Sequence, residues 1–148
     1  MKKQHINSLY NLLSKYSKQE IIDNIEELNF DIESVKAYEE VFATNETAIA
    51  WFKDFCAQYN LTVTTKQVKK RIAWPDLLIV QEFGMSGYNR ETDTYEPYFM
   101  LWTNDIGPHV EMGSSYIDDL WSGMWRLTIL ETKMHKICEL RGIKKVDK

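Results

Sequence analysis

No apolar run in the sequence approaches the roughly 18 residues needed to span a bilayer, so no membrane-spanning helix is expected. The opening MKKQHINSLYNLL has the basic start of a secretion signal. It lacks the uninterrupted apolar middle and the small-residue cleavage site of one, and reads as an amphipathic helix. Cysteine is scarce. Cys56 and Cys138 are the only two, both in helix-like amphipathic stretches where a buried free thiol is common. With no targeting signal the expected setting is cytoplasmic, where thiols stay reduced. Also missing are a Walker-type loop, G-x-G-x-x-G and G-x-S-x-G, so no cofactor is expected on motif grounds. There is no internal repeat, low-complexity tract or linker. The 148 residues fit one domain, long enough to bury a core.

What is present in excess is aromatic and alternately charged. Five tryptophans and 13% aromatics bring large side chains with polar tips, suited to cores or contact surfaces. Charge runs in blocks: +4 over residues 1–19, −8 over 20–54, +4 over 55–75, −8 over 76–119 and +4 over 120–148. Two readings follow. The blocks form patches of opposite sign that steer a partner, or they neutralise one another within the fold.

The first third reads as helices, about four of them over residues 4–60. Ile6, Leu9, Tyr10, Leu13 and Tyr16 share one helix face. Ser17 and Glu20 form a capping box for a helix presenting Ile21, Ile22, Ile25 and Leu28. Asp31 or Ser34 starts the next, with Val35, Tyr38 and Phe42 inward and Glu33, Lys36, Glu39 and Glu40 outward. Ala48, Trp51, Phe52, Phe55, Cys56 and Tyr59 form a strong fourth stripe, stopped by Asn60 in a left-handed conformation. A small antiparallel sheet of three or four strands then fits residues 61–112. LTVTT alternates and is β-branched, LLIVQEF has strand length, and GMSGYNRETDT is loop chemistry. YEPYFMLWT resumes as a strand behind Pro97, NDIGP turns, and HVEM closes the meander. A long C-terminal helix is expected over about 116–141, capped by Ser114, Ser115 or Asp118 and stopped by Gly142. Its stripe is Leu120, Met124, Leu127, Met134 and Cys138, widened by Trp121, Trp125, Ile129 and Leu130, as in a buried helix. The fold class is therefore α+β.

One stretch, LTILETK (residues 127–133), carries a chemical ambiguity. As a strand it puts Glu131 and Lys133 on one side. With Asp118 or Asp119 upstream it then resembles the PD…ExK outline of metal-dependent nucleases. That resemblance implies carboxylates holding Mg²⁺ and a lysine beside the attacked phosphate. As a helix, residues 131 and 133 diverge by about 200° and cannot share a metal. Pro75-Asp76 with Glu82 is a second match that lacks the lysine. His109-Val110-Glu111 has the H-x-E of zinc deaminases without the downstream cysteine pair that chemistry needs. His135 and Cys138 share a helix face. Their spacing reads first as a surface histidine beside a buried thiol, and a zinc site would have to draw further ligands from His5, Cys56 or His109.

For nucleic acid, Lys66, Lys69, Lys70 and Arg71 with Trp74 combine cations and a stacking ring. A helix-turn-helix over the second and third helices is opposed by Glu33, Glu39 and Glu40, which a phosphate backbone repels. For protein, the central loop 84–94 carries Tyr88, Arg90, Glu91 and Asp93, with Tyr95 at its exit. Those residue types are enriched at interfaces, and loops on a small sheet are where binding residues sit. The expected function is a non-enzymatic protein-binding or inhibitory module using that loop, with Glu39 and Glu40 as a second patch. Richness in Lys, Asn, Ile and Tyr suits an AT-rich genome such as a low-GC bacterium or its phage. An acidic face can mimic nucleic acid, so an inhibitor of a nucleic-acid enzyme is the finer expectation. The Mg²⁺-dependent nuclease of Asp119, Glu131 and Lys133, and a small-ligand or nucleic-acid-binding domain, are the alternatives.

Overall fold

The computed structural model describes residues 25–69, 75–84, 87–114 and 125–146, and everything below refers to these. Helix α1 (Ile25–Val41) and helix α2 (Asn45–Ala57) come first. Four strands follow in one antiparallel sheet: β1 (Val63–Gln67), β2 (Asp76–Val80), β5 (Tyr98–Thr103) and β6 (His109–Gly113), in that spatial order. Between β2 and β5 the chain makes a separate hairpin, β3 (Tyr88–Asn89) with β4 (Thr94–Tyr95). Helix α3 (Leu127–Leu140) ends the described fold and contacts both α1 and β5. The architecture is α+β, with a C-terminal helix on an antiparallel sheet. No helix among the described residues is long and apolar enough to cross a membrane.

Alternation along the strands decides what each face meets. Leu78, Val80, Phe99, Leu101, Val110 and Met112 point to one face and join Phe52, Phe55, Cys56, Met134, Ile137 and Cys138 in the main core. Phe99 anchors this layer, meeting Phe52, Phe55 and Phe83 edge-on at 5.0–5.9 Å. Leu77, Met100 and Trp102 point the other way and are also buried, with Val68, Ile79 and Tyr98 against them. The central strands β2 and β5 are thus covered on both faces, which is why they read as nearly unbroken apolar runs. Edge strand β1 is mostly exposed.

The helix ends follow local chemistry. Thr44 caps α2 in a reciprocal box with Thr47, meeting amide groups the helix itself leaves bare. Asn60, at φ 54, turns the chain out of α2, with Leu61 N–H bonded to Cys56 O at 3.0 Å. Gly142, at φ 73, does the same for α3. Its N–H bonds Glu139 O at 3.0 Å, and Ile143 N–H bonds Cys138 O at 2.9 Å, the paired bonds of a Schellman stop.

Three expectations are corrected. Asp31 and Ser34 start no helix, since both lie inside the continuous α1. The C-terminal helix begins at Leu127 and not near 116, with Arg126 extended at its N-cap and making no side-chain cap bond. The cap is supplied from elsewhere: Ser34 Oγ accepts the Thr128 N–H at 2.9 Å and donates to Thr128 Oγ1 at 2.9 Å. Third, the central loop is partly strand, because Tyr88 pairs with Tyr95 and Asn89 with Thr94. The stripe through Leu120, Trp121 and Met124, the caps Ser115 and Asp118, the helix over 6–16 and the start of the next, from Ser17 through Ile22, lie outside the described residues, while Ile25 and Leu28 of that second helix fall within the continuous α1.

Candidate functional site

The hairpin gathers the residues expected at the binding site. Asn89 turns the chain, its Oδ1 accepting the amides of Glu91 (2.9 Å) and Thr92 (3.4 Å). Asp93 adopts a left-handed φ of 54, a conformation short polar side chains tolerate. The return brings Tyr95 opposite Tyr88, with ring centroids 5.1 Å apart. The Tyr88 hydroxyl donates to Asp93 Oδ1. That bond to a carboxylate raises the Tyr88 pKa, helped slightly by burial, because losing the phenolic proton would set two anions side by side. Thr92 and Thr94 hydroxyls meet at 2.6 Å across the turn.

Arg141 fixes this hairpin to the body. From just past α3 its guanidinium donates to Pro97 O (3.2 Å) and Glu82 O (2.7 Å) and pairs with Glu96 at 3.1 Å. It also lies 4.7 Å over the Phe83 ring. One planar fork thus ties the turn after β2, the exit of the hairpin and the end of α3. Gly87 makes the other attachment. At φ 67 its carbonyl accepts the Glu96 N–H at 2.8 Å, and an added Cβ would sit 2.4 Å from Glu96 O. No local pattern marks Arg141 or Glu96 as hairpin anchors, since their partners are distant in sequence.

The result is a held, exposed aromatic pair. Tyr95 is 72% exposed and Tyr88 40%. Leu140, another of the five large apolar or aromatic side chains exposed among the described residues, lines a cleft with Tyr95. A second cleft on the other side is lined by Tyr88, Arg90, Glu91, Glu82 and Arg141. Glu39 and Glu40 sit on a different element, α1, with Glu40 exposed and Glu39 half-buried.

The other sequence candidates fall as follows. Glu131 and Lys133 are on a helix, about 200° apart, so the shared side that the nuclease outline needs does not form. Glu131 instead accepts the Trp51 indole N–H at 3.1 Å. Asp118 and Asp119 lie outside the described residues, and among those described no group of three or more His, Cys, Asp or Glu could hold a metal ion. Lys66 is exposed on β1 and Lys69 just beyond it, while Lys70, Arg71 and Trp74 lie outside the described residues. Cys56 and Cys138 are free and buried, and burial pushes both thiols up to about 12.

His135 and Cys138 meet no further metal-ligating side chains among the described residues; the His135 Nδ1 is hydrogen-bonded to the Tyr59 hydroxyl, and its ring lies 4.7 Å from that of Phe55. Compared with known proteins, the chain matches no family model, no curated protein and no solved structure.

Proposed function

We propose that the chain is a non-enzymatic protein-binding module whose binding element is the β3–β4 hairpin. The observation that carries the reading is the Tyr88–Tyr95 pair, its tilted rings 5.1 Å apart and exposed on a hairpin that Arg141 holds in place. Exposed tyrosines on a held frame supply contact area at low ordering cost, and such residues dominate interface energetics. Glu91 and Asp93 give the rim an acidic character, with Arg90 as its cation. The finer proposal is inhibition: this rim, with Glu39 and Glu40 as a second acidic patch, suits a basic groove such as that of a nucleic-acid enzyme. A low-GC bacterial or phage setting fits the composition.

The test is affinity capture with tagged full-length chain, with and without nuclease treatment, using wild type and a Tyr95→Ala/Asp93→Lys variant. One near-stoichiometric protein that survives nuclease and is lost with the variant is the expected result. Capture that nuclease abolishes, or that the variant leaves unchanged, overturns the reading.

A further inference from the structure

A third cleft, separate from the hairpin, lies where the end of α2 meets the C-terminal turn of α3. It has a volume of about 390 Å³ and is lined by Tyr59, His135, Glu139, Ile143, Lys144 and Lys145, within the range of small-molecule sites. Its rear wall is built. The Tyr59 hydroxyl meets His135 Nδ1, and Phe55 backs both rings at 4.7 and 5.7 Å. Its front is positioned by the backbone. Gly142 turns the chain, and Val146 N–H bonds Gln58 O at 2.8 Å, which holds Lys144 and Lys145 beside the opening.

The charge of this cleft is unbalanced. Neither Lys144 nor Lys145 has an ion pair among the described residues, whereas Glu139 is engaged by Lys136 at 3.3 Å. Three carbonyls of the last turn of α3, those of Ile137, Cys138 and Glu139, already accept the amides of Arg141, Ile143 and Gly142. Burial, and then Lys145, lowers the His135 pKa against the opposing pull of Glu131, while burial raises that of Tyr59. In the tautomer in which Tyr59 donates to Nδ1, the neutral imidazole carries its own proton on Nε2. Nothing else among the described residues binds Nε2.

We infer that this cleft binds a small phosphorylated ligand, its phosphate between Lys144, Lys145 and the His135 N–H and its body against Tyr59 and Ile143. A phosphate monoester carries close to two negative charges at neutral pH and three strong acceptors. That matches two ammonium groups and one ring donor better than a single carboxylate does. The site is independent of the hairpin, so either can fail alone.

The experiment is an NMR titration of the full-length chain, following the His135 ring resonances assigned with a His135→Gln variant. The probes are inorganic phosphate, AMP, adenosine and, at matched ionic strength, chloride. Phosphate and AMP should shift the ring saturably, AMP more tightly, with adenosine and chloride inert. Lys144→Gln/Lys145→Gln should weaken AMP by about tenfold or more, the scale of one lost charge-assisted bond, with an unchanged melting temperature. No saturable shift with phosphate or AMP, an equal shift with chloride or adenosine, or a double variant that binds like wild type would overturn the inference.

Discussion

At the scale of single residues, the side chains that hold the molecule together are polar groups reaching across it. Arg141 is the clearest. Its guanidinium serves two carbonyls and one carboxylate, and bonds made by charged groups contribute roughly 1.5–3 kcal/mol each where little water competes. Arg141→Ala is expected to cost about 2–3 kcal/mol in urea unfolding and to speed amide exchange in residues 88–95. Arg141→Lys should rescue little, because an ammonium cannot span the same three acceptors. Glu131 makes a structural contact of the same kind. Glu131→Ala removes the acceptor of the Trp51 indole and should lower stability by about 1 kcal/mol, with no metal-dependent cleavage gained or lost. A preparation whose Mg²⁺-dependent nuclease activity vanished with that substitution would restore the catalytic reading. The two thiols, pushed up to about 12 by burial, should resist maleimide in the folded chain at neutral pH and react in denaturant. Labelling of the native chain at the denatured rate would mean that the α2–α3 interface opens readily.

At the scale of elements, the periodic parts were legible and the cross-chain parts were not. The stripe from Ala48 to Tyr59, the left-handed stop at Asn60, the four strands of the sheet and the exit at Gly142 each rest on chemistry within a few residues, and each is present. Ser34 shows the limit. Serine favours helix starts for a local reason, which made it look like the start of a helix. Its hydroxyl instead caps a helix 94 residues away. Ser34→Ala should therefore destabilise the chain by about 1–2 kcal/mol and loosen the first turn of α3 rather than α1, as amide exchange at Thr128 would reveal. The same limit hid the hairpin frame. Two-residue strands have no readable period, so GMSGYNRETDT reads as a loop, without the Tyr88–Tyr95 pairing or the Arg141 anchor. The choice between strand and helix for LTILETK was open for the opposite reason. A short apolar run satisfies both periods, and packing of Leu130, Met134, Ile137 and Cys138 into one core decides for helix.

For the whole molecule, pH acts through the α2–α3 junction. His135 titrates below its ordinary 6.5 in the folded chain, mainly because it is desolvated. As pH falls past 6.5 the unfolded chain takes up this proton first, so stability declines until the lower folded pKa is reached and then levels off. Urea midpoints should accordingly rise with pH across that window. His135→Gln should flatten this part of the profile, and an unchanged slope would place the titration elsewhere.

The anchoring by Arg141 also has a consequence in time. A ribosome delivers Pro97 44 residues before the arginine that grips its carbonyl, and Ser34 far earlier than the helix it caps. Growing chains can form α2 and the strands while the Tyr88–Tyr95 ribbon has no brace. The brace arrives only with α3, so the aromatic pair is presented last, after synthesis has passed the sheet. Nascent chains stalled before α3 should therefore lack the partner capture proposed for the hairpin.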